Sequence, residues 1–206
     1  MIKIDKTDVY GWGASIRGAR NPFNSWDRSD STFADGKVCI GVNDLCLMKS
    51  LVKAGSDHSK FMRMITVTCD ITAPFYWWKE YDTYKVGTVA NSCSTMHTIH
   101  KKEFTVDDFS CDRLNHFNLN IIQQIIRNLN IYRERFLLTK DKEDWEQMIQ
   151  LLPSSYNQLR TVQLNYAVLR NIYHARKNHK LKEWHILCRW IEGLPYSELI
   201  TEVFDK

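Results

Sequence analysis

The sequence has no long apolar run, no closely spaced cysteine pair and no strong excess of charge of either sign. Its apolar runs are only a few residues long, which excludes a membrane-spanning helix. The charged, alternating N-terminal segment MIKIDKTDVYG lacks the features of a secretory signal. A formal net charge of +4 is too small to indicate nucleic-acid binding by itself. We therefore expect no membrane partner and no nucleic-acid partner.

The six cysteines are scattered along the chain and form no CxxC pair. Zinc sites need closely paired ligands, and disulfide frameworks belong mainly to small secreted chains. The pattern therefore predicts free thiols in a reducing cytoplasm. His97 and His100 lie three residues apart, but they do not form the paired cysteine and histidine pattern of a zinc motif, so we expect no metal site.

The length of 206 residues, with 44% hydrophobic and 25% charged residues, is typical of one soluble globular domain. The sequence shows no internal repeat, no low-complexity tract and no clear linker. We therefore predict a single domain over residues 1–206.

The N-terminal half mixes strands and helices. MIKIDKTDV and RMITVTCDIT alternate apolar with polar residues, as half-buried strands do. A helix is predicted after Asn43 as its N-cap, and FYWWKEYD predicts a short helix after Pro74. Residues 83–100 are predicted to form a loop.

The C-terminal half predicts helices throughout. One face of a long helix is marked by Ile122, Ile125, Ile126, Leu129, Arg133 and Phe136. The later helices are predicted in the segments KEDWEQMIQLL, TVQLNYAVLRNIYHAR, LKEWHILCRWIEG and SELITEVF. The fold class is therefore α+β, dominated by helices.

One stripe of the helix predicted over residues 161–176 carries polar groups. Four of its residues are spaced four, three and four apart and so share one face: Asn165, Leu169, Ile172 and Arg176. Asn165 and Arg176 would lie within roughly 20° about the axis and ~16 Å apart along it. Two interpretations stay open. Either the amide packs between helices while the arginine extends to water, or both groups line a pocket for a polar ligand.

Five segments follow one another in a specific order: SIRGARNPF, LMKSLVKAGSDHSKF, MITVTCDITAPFYWWKEYDTYKVGTVANSCS, LPSSYNQLRTVQLNYAVLRNIYHAR and KEWHIL. In order and spacing they resemble the motifs of the flavin-dependent thymidylate synthases, known as ThyX. The resemblance covers most of the chain. It implies a ThyX-like fold, in which a small antiparallel sheet packs with a helix-rich C-terminal half. It also implies a homotetramer with inter-subunit sites for FAD and dUMP.

The resemblance assigns ligand contacts to residues that this chain retains. Asn165 and Asn171 fall where the family has flavin-contacting asparagines. Arg176 falls on the arginine that contacts the uracil ring of dUMP, and Ser59 lies near the family's flavin-contacting bend. Lys85 keeps one positive charge of the family's Arg-His-Arg triplet.

Other family positions are changed. The triplet reads Thr83, Tyr84, Lys85, and the arginine of the family's Asn-x-Arg-Ser helix is Ala167. The motif serine falls on Cys93, and a glutamate expected near position 62 is absent. Phosphate binding relies on charge-assisted hydrogen bonds of about 1.5–3 kcal/mol each. We therefore predict no standard dUMP methylation, and the lost cations also argue against FAD, the cofactor that the resemblance implies.

The loop over residues 83–100 occupies the position of the family's ligand loop, but its side chains are mostly neutral. Its members can donate and accept hydrogen bonds or stack on a base, and they are predicted ligand contacts: Tyr84, Asn91, Ser92, Cys93 and Ser94. The FYWW run before the loop is either core or a stacking platform. No base for Cys93 is recognisable, which favours a structural thiol.

The sequence thus predicts a divergent ThyX-fold protein that binds or sequesters a nucleotide-derived ligand in inter-subunit pockets. A phage or mobile element that sequesters a nucleotide signal offers an analogy for such a role. The alternative is an active FAD-dependent thymidylate synthase or a related uridylate-modifying flavoenzyme. A third reading, a structural or RNA-binding protein, rests on the basic stretch RNIYHARKNHKLK, which is more simply a solvated helix end.

Overall fold

The computed structural model of the chain describes residues 2–34 and 37–203. The strands are β1 (Lys3–Tyr10), β2 (Thr32–Ala34), β3 (Lys37–Cys39), β4 (Thr66–Pro74), β5 (Val89–Ser92) and β6 (Asn157–Asn165). The helices are α1 (Trp12–Arg20), α2 (Val42–Lys53), α3 (Phe75–Tyr81), α4 (Thr95–Thr98), α5 (His116–Thr139), α6 (Lys142–Leu151), α7 (Tyr166–Arg176), α8 (Lys182–Glu192) and α9 (Glu198–Thr201). Short 3-10 turns span Asn21–Phe23, Trp26–Arg28, Ser59–Met64 and Val106–Asp108.

Within the described residues, four strands form an antiparallel sheet in the order β1-β4-β6-β5. Strands β2 and β3 form a separate hairpin, in which Thr32 pairs with Cys39. The predicted α+β fold with a small antiparallel sheet is therefore confirmed. In β4 the predicted alternation holds, since Val67, Cys69 and Ile71 are buried while Thr68 and Asp70 between them are partly exposed.

Several predicted boundaries change. Helix α2 begins at Val42 with Gly41 as its N-cap, so the predicted cap at Asn43 is wrong by two residues. The region predicted as a loop over residues 83–100 contains β5 and α4. The predicted last helix is reduced to α9, and its final predicted residue, Phe204, lies outside the described residues.

The described chain divides into two compact units. The first unit contains residues 2–5, Asp70–Thr83 and Ala90–Thr161, and the second contains residues 6–34, 37–69, Tyr84–Val89 and 162–203. The single domain predicted for residues 1–206 stays a prediction.

All six cysteines are free thiols. Among the described residues, no helix has both the length and the apolar character needed to cross a membrane.

The first unit is built on aromatic residues and on the long helix α5. Trp77 and Trp78 of α3 are fully buried, and Trp78 Nε1 donates a hydrogen bond of 3.0 Å to the carbonyl oxygen of Gln158. The FYWW run is therefore core. The cluster on α5 and its neighbours comprises Ile99, Phe104, Phe109, Ile122, Ile126, Leu129 and Met148. Of the face predicted for α5, Ile122, Ile126 and Leu129 belong to this cluster, and Ile125 and Phe136 pack against it partly buried.

The second unit holds a buried ion pair. Arg20 at the end of α1 donates from Nε to Asp44 Oδ1 at 2.6 Å, and both side chains are almost completely buried. The other oxygen of Asp44 accepts hydrogen bonds from the hydroxyls of Ser29 and Ser31 at 2.8 and 2.6 Å. A buried carboxylate needs such partners, because an unpaired buried charge is strongly unfavourable. The pair therefore ties α1, α2 and the segment between them together.

We predict that Asp44→Asn lowers the free energy of unfolding by about 3 kcal/mol, because Arg20 then remains buried without its counter-charge. The measurement is urea unfolding at neutral pH. Asp57→Asn is the matched control, since Asp57 is exposed in the turn after α2, and it should lie within about 0.5 kcal/mol of wild type. Equal stability of Asp44→Asn and wild type would contradict the assigned role.

The same carboxylate makes stability depend on pH. Burial alone would raise the pKa of Asp44, but the hydrogen bonds from Ser31, Ser29 and Arg20 together hold it below its ordinary value. Because the pKa of Asp44 is lower in the folded state, its ionised carboxylate stabilises the fold fully above the unfolded pKa of about 3.9. This stabilisation is lost as the pH falls through the folded-state pKa. We expect the stability difference between wild type and Asp44→Asn to shrink below about pH 4.

Candidate functional site

The site in the second unit starts at the junction between β6 and α7. The sequence predicted a helix from Thr161, but the chain stays extended to Asn165 because Val162 and Leu164 alternate with exposed residues and fill the core. The backbone amide of Tyr166 then donates to the carbonyl oxygen of Ile65 at 3.0 Å. The predicted start of the helix is therefore wrong, and α7 begins at Tyr166.

Asn165 is the N-cap of α7. Its side-chain oxygen accepts a hydrogen bond of 3.0 Å from the backbone amide of Val168, as N-cap residues commonly do. Asn165 and Arg176 thus stand at opposite ends of α7, and the oxygen of the Asn165 amide is used within the helix. The residues between them on this face, Leu169 and Ile172, are fully buried core.

Arg176 lies in an aromatic cluster at the other end of the helix. Its Nε donates to the hydroxyl oxygen of Tyr84 at 2.9 Å, and its guanidinium lies 4.7 Å from the centre of the Trp184 ring. Tyr84 and Trp184 also contact each other edge to face, with ring centres 6.1 Å apart. A guanidinium held over an aromatic face gains a cation–π interaction of about 0.5–1 kcal/mol or more. The arrangement orients Arg176 before any ligand binds.

The segment from Tyr84 to Thr88 runs beside α7. Gly87 has a φ of +76°, and a Cβ there would lie 3.0 Å from Nδ2 of Asn165 and 3.3 Å from Cγ2 of Val168. A side chain at this position would therefore meet both strain and contact with the start of α7. Lys85, in the same segment, is exposed. The Tyr84 hydroxyl therefore contacts Arg176, whereas the Lys85 side chain is exposed to solvent.

Asn171 lies at a cavity of about 630 Å³ in the second unit, on a different face of α7 from Arg176. Four α7 residues with helical spacing line one side: Ala167, Arg170, Asn171 and His174. The other side is formed by the end of α2 and the 3-10 turn after it: Val52, Lys53, Gly55, Ser56, Ser59, Met62 and Arg63. Four of the described lining residues can be cationic, namely Lys53, Arg63, Arg170 and His174, and none is a carboxylate. The cavity is therefore electropositive.

Two of the cavity's basic residues are fixed by the end of the described chain. One terminal nitrogen of Arg170 donates to the carbonyl oxygens of Ile200 and Glu202, both at 2.9 Å. His174 Nε2 lies 3.0 Å from the carbonyl oxygen of Ile200, and a carbonyl only accepts, so Nε2 carries the proton. Burial lowers the pKa of His174, and the neighbouring Arg170 lowers it further. His174 is therefore neutral at physiological pH, and Lys53 and Arg63 supply exposed positive charge at the cavity.

The remaining predicted contacts lie in the first unit. Asn91 and Ser92 end the exposed edge strand β5. Cys93 is exposed, its backbone amide donates to the carbonyl oxygen of Leu159 at 2.9 Å, and its Sγ lies 3.8 Å from Thr98 Oγ1. Ser94 is the N-cap of α4 and accepts from the amide of His97 at 3.3 Å. Cys93 therefore has a hydroxyl neighbour rather than a base, which fits a structural thiol.

The predicted site residues thus fall into four places: the Arg176 cluster with the adjacent segment at Tyr84 and Lys85, the start of α7 at Asn165, the cavity with Asn171, and the edge of the first unit. Their role in ligand binding stays a prediction. Lys53, Arg63, Arg170 and His174 were not predicted as site residues, although Ala167 and His174 lie four and three residues from Asn171 and so share its face of the helix. Within the part of the chain that the structure describes, no group of histidine, cysteine and acidic side chains could hold a metal ion.

Comparison with known proteins bears on the fold. No protein-family model matches the sequence, and no curated protein is significantly similar to it in sequence. The fold, in contrast, is similar to that of the flavin-dependent thymidylate synthase ThyX from Helicobacter pylori complexed with FAD and dUMP, with a TM-score of 0.69, 18% identity and 97% of each chain covered. A second structure of that enzyme with FAD and dUMP gives the same TM-score at 16% identity, with 98% of this chain and 97% of that chain covered.

A third similar structure is a UMP/dUMP methylase, PolB from Streptomyces cacaoi, bound with 5-Br dUMP. Its TM-score is 0.62 at 13% identity, and 94% of this chain and 89% of that chain are covered. The chain therefore has the fold of the ThyX flavin-dependent thymidylate synthases, and the resemblance found in the sequence is confirmed at the level of the fold.

We predict that Asn165→Ala lowers the free energy of unfolding by about 1 kcal/mol, because the amide of Val168 loses its cap acceptor. Asn165→Asp keeps an acceptor and adds a negative charge at the helix N-terminus, so it should be at least as stable as wild type. Thermal and urea unfolding of the two variants test this. Equal losses in both variants would show that the cap is not the reason for the effect.

Proposed function

We propose that the protein binds a nucleotide or a nucleotide-derived ligand and does not methylate dUMP in the standard way. The observation that carries the proposal is the electropositive cavity beside α7, where Lys53 and Arg63 are exposed and the described lining has no carboxylate. Phosphate groups are bound by such clusters through charge-assisted hydrogen bonds. The similar structures bound with dUMP or its bromo analogue support a nucleotide as the ligand class.

The residues present do not fit FAD held in the family's manner. The cavity wall has Ala167, which offers no donor, where the family has an arginine. Tyr84 replaces a member of the cationic triplet, and its hydroxyl accepts the hydrogen bond from Arg176 Nε instead. We therefore derive no step of a reaction through a flavin, and the role we propose is binding or sequestration.

Two further parts of the proposal concern assembly and context. We propose a homotetramer, because the fold is that of an enzyme family whose ligand sites the sequence resemblance places between subunits. We also propose that the protein sequesters a nucleotide signal on behalf of a phage or mobile element. A pocket that binds a nucleotide without methylating it would suit this role. Free thiols throughout the chain are consistent with a cytoplasmic location.

We predict that Arg63→Gln weakens binding of dUMP about tenfold, because one charge-assisted contact of about 1.4 kcal/mol to the phosphate is lost. Lys53→Gln should weaken it by a similar factor. Isothermal titration calorimetry with dUMP measures both. Lys60→Gln is the matched control, since Lys60 is exposed in the same 3-10 turn but does not line the cavity. Equal effects of all three substitutions would indicate general charge attraction instead of a site.

Arg176→Ala should lower both ligand affinity and stability. Loss of a charge-assisted contact predicts dUMP affinity reduced ten- to a hundredfold, and loss of the contacts to Tyr84 and Trp184 predicts about 1–2 kcal/mol of lost stability. Tyr84→Phe removes only the hydroxyl and should lose about 1 kcal/mol of stability with a smaller change in affinity. Calorimetry beside urea unfolding separates the effects. Wild-type affinity in Arg176→Ala would remove this residue from the site.

Standard thymidylate synthesis should be absent. We expect no release of an isotope label from C5 of dUMP, no growth rescue of a thymidine-requiring strain and no flavin absorbance in the purified protein. The reason is the loss of cationic groups at Thr83, Tyr84 and Ala167. Label release that depends on added FAD would establish the alternative, an active flavoenzyme acting on a uridylate.

A further inference from the structure

A cluster of basic side chains in the first unit has no counter-charge. Its members are His100 and Lys101, which follow α4, together with Arg133 and Lys140 at the C-terminal end of α5. Within the described part of the chain, neither of the two lysines nor Arg133 forms an ion pair. The proposed nucleotide cavity is built from other residues, so it does not explain this cluster.

The ring of Phe136 brings the two segments of the cluster together. Arg133, Phe136 and Lys140 are spaced three and four residues apart and therefore share one face of α5. The His100 ring contacts Phe136 edge to face, with ring centres 4.9 Å apart. Lys140 Nζ lies 5.6 Å from the centre of the same phenylalanine ring. Basic groups from two segments thus converge on one face of the helix.

Part of this charge is removed from water without compensation. His100 and Arg133 are both half-buried. His100 Nδ1 and Arg133 Nε are covered by protein, and neither has a hydrogen-bond partner among the described residues. A covered polar group without a partner is unfavourable, more so when it carries charge, and further positive charge beside it adds repulsion. A bound anion would therefore stabilise this arrangement.

The neighbouring acidic residues do not supply the missing charge. On α6, which packs against α5, the buried Asp144 pairs with Arg135 at 3.1 Å. Glu103 and Glu134 lie close to the cluster in sequence, but both are exposed, and neither forms an ion pair within the described residues. The counter-charge is therefore expected from outside the described chain.

His100 makes the charge of the cluster depend on pH. Burial lowers the pKa of His100, and the positive charges of Lys140, Lys101 and Arg133 lower it further. The empty cluster therefore has a neutral imidazole at pH 7, which gains its proton only as the pH falls below the ordinary value of about 6.5. A bound anion favours the charged ring and raises this pKa. Anion binding should accordingly become tighter as the pH falls.

We infer that this cluster is a binding site for a phosphate group. Arg133 supplies a guanidinium, and Lys101 and Lys140 supply ammonium groups, which together bind phosphate oxygens through charge-assisted hydrogen bonds. The site uses residues of the first unit alone and does not rest on the proposed function of the cavity with Lys53 and Arg63. Its ligand is a free phosphate ion or a phosphate carried by a larger molecule, since both present the same oxygens.

Titration of the whole chain with inorganic phosphate tests the site. Histidine ring signals are followed by NMR, and the His100 signal is assigned by its loss in His100→Gln. Wild type should show a saturable shift of this signal. Arg133→Gln should weaken the affinity about tenfold, because one charge-assisted contact is lost. Arg127→Gln is the matched control, since Arg127 is an exposed arginine of the same helix without an ion pair in the described chain, and it should keep wild-type affinity.

Two further variants separate binding from folding. Arg133→Lys keeps the charge but not the planar fork, so it should recover part of the affinity that Arg133→Gln loses. Phosphate should raise the melting temperature of wild type and of Arg133→Lys more than that of Arg133→Gln, because a ligand that binds only the folded state stabilises it. Arg63→Gln, in the proposed cavity, should leave the His100 titration unchanged, so the two sites succeed or fail separately.

Sulfate tests the role of His100, because its charge stays constant over the pH range in which histidine titrates. Wild type should bind sulfate several-fold more tightly at about pH 5.5 than at about pH 8. The pKa of His100 should be higher with sulfate than without it. His100→Gln should lose the pH dependence, and an unchanged dependence in this variant would remove His100 from the site.

The comparison of two ligands identifies the source of the phosphate. Tighter binding of inorganic phosphate than of glycerol phosphate supports the free ion, and the reverse supports a phosphate carried by a larger molecule. No shift of the His100 signal at millimolar phosphate would overturn the inference. So would equal losses in Arg133→Gln and Arg127→Gln, which indicate general charge attraction. An assembly that loses mass in Arg133→Gln and binds no phosphate would also overturn it, because an acidic group of a second copy would then be the counter-charge.

Discussion

The hydrogen bond from the Tyr166 amide to the Ile65 carbonyl fixes where strand β6 becomes helix α7, and the candidate site depends on that point. Because Asn165 caps the helix, the orientation of α7 about its own axis is fixed. Leu169 and Ile172 then enter the core, while Ala167, Arg170, Asn171 and His174 face the cavity. A start one residue earlier or later would turn the helix by about 100° and bury charged side chains. The junction is therefore the constraint that determines which faces of α7 carry the candidate site residues.

Positive charge in the second unit lies on two faces of helix α7. At positions 83–85, which resemble the family's triplet, only Lys85 is cationic, and the Tyr84 hydroxyl accepts a hydrogen bond from Arg176 Nε. The cavity on the next face of α7 has Lys53 and Arg63 at its border and Arg170 in its wall. We propose that this cavity attracts phosphate, whereas Thr83, Tyr84 and Ala167 offer a flavin no cationic group. Fold and chemistry can diverge in this way because the helices that define the fold are packed through other faces.

The sequence was sufficient for the parts of the structure that depend on repeating patterns. The alternation in β4, the core face of α5 and the order of the ThyX-like segments each predicted what the structure contains. The start of α7 was not predictable from periodicity, because Val162 continues the helical spacing of Tyr166 and Leu169 while Leu164 follows the alternation of a strand, and so short a run does not decide between them. The cavity was also missed, because Lys53, Arg63 and His174 come from distant segments that only the fold brings together.

The central claim is that this ThyX-fold chain binds a nucleotide-derived ligand without a flavin. The most direct test is mass spectrometry of the small molecules released when the freshly purified protein is denatured by heat. The account predicts a phosphorylated, nucleotide-derived compound in an amount close to that of the protein, and no FAD. Release of stoichiometric FAD would contradict it. So would the absence of any nucleotide, if added nucleotides also left the melting temperature unchanged.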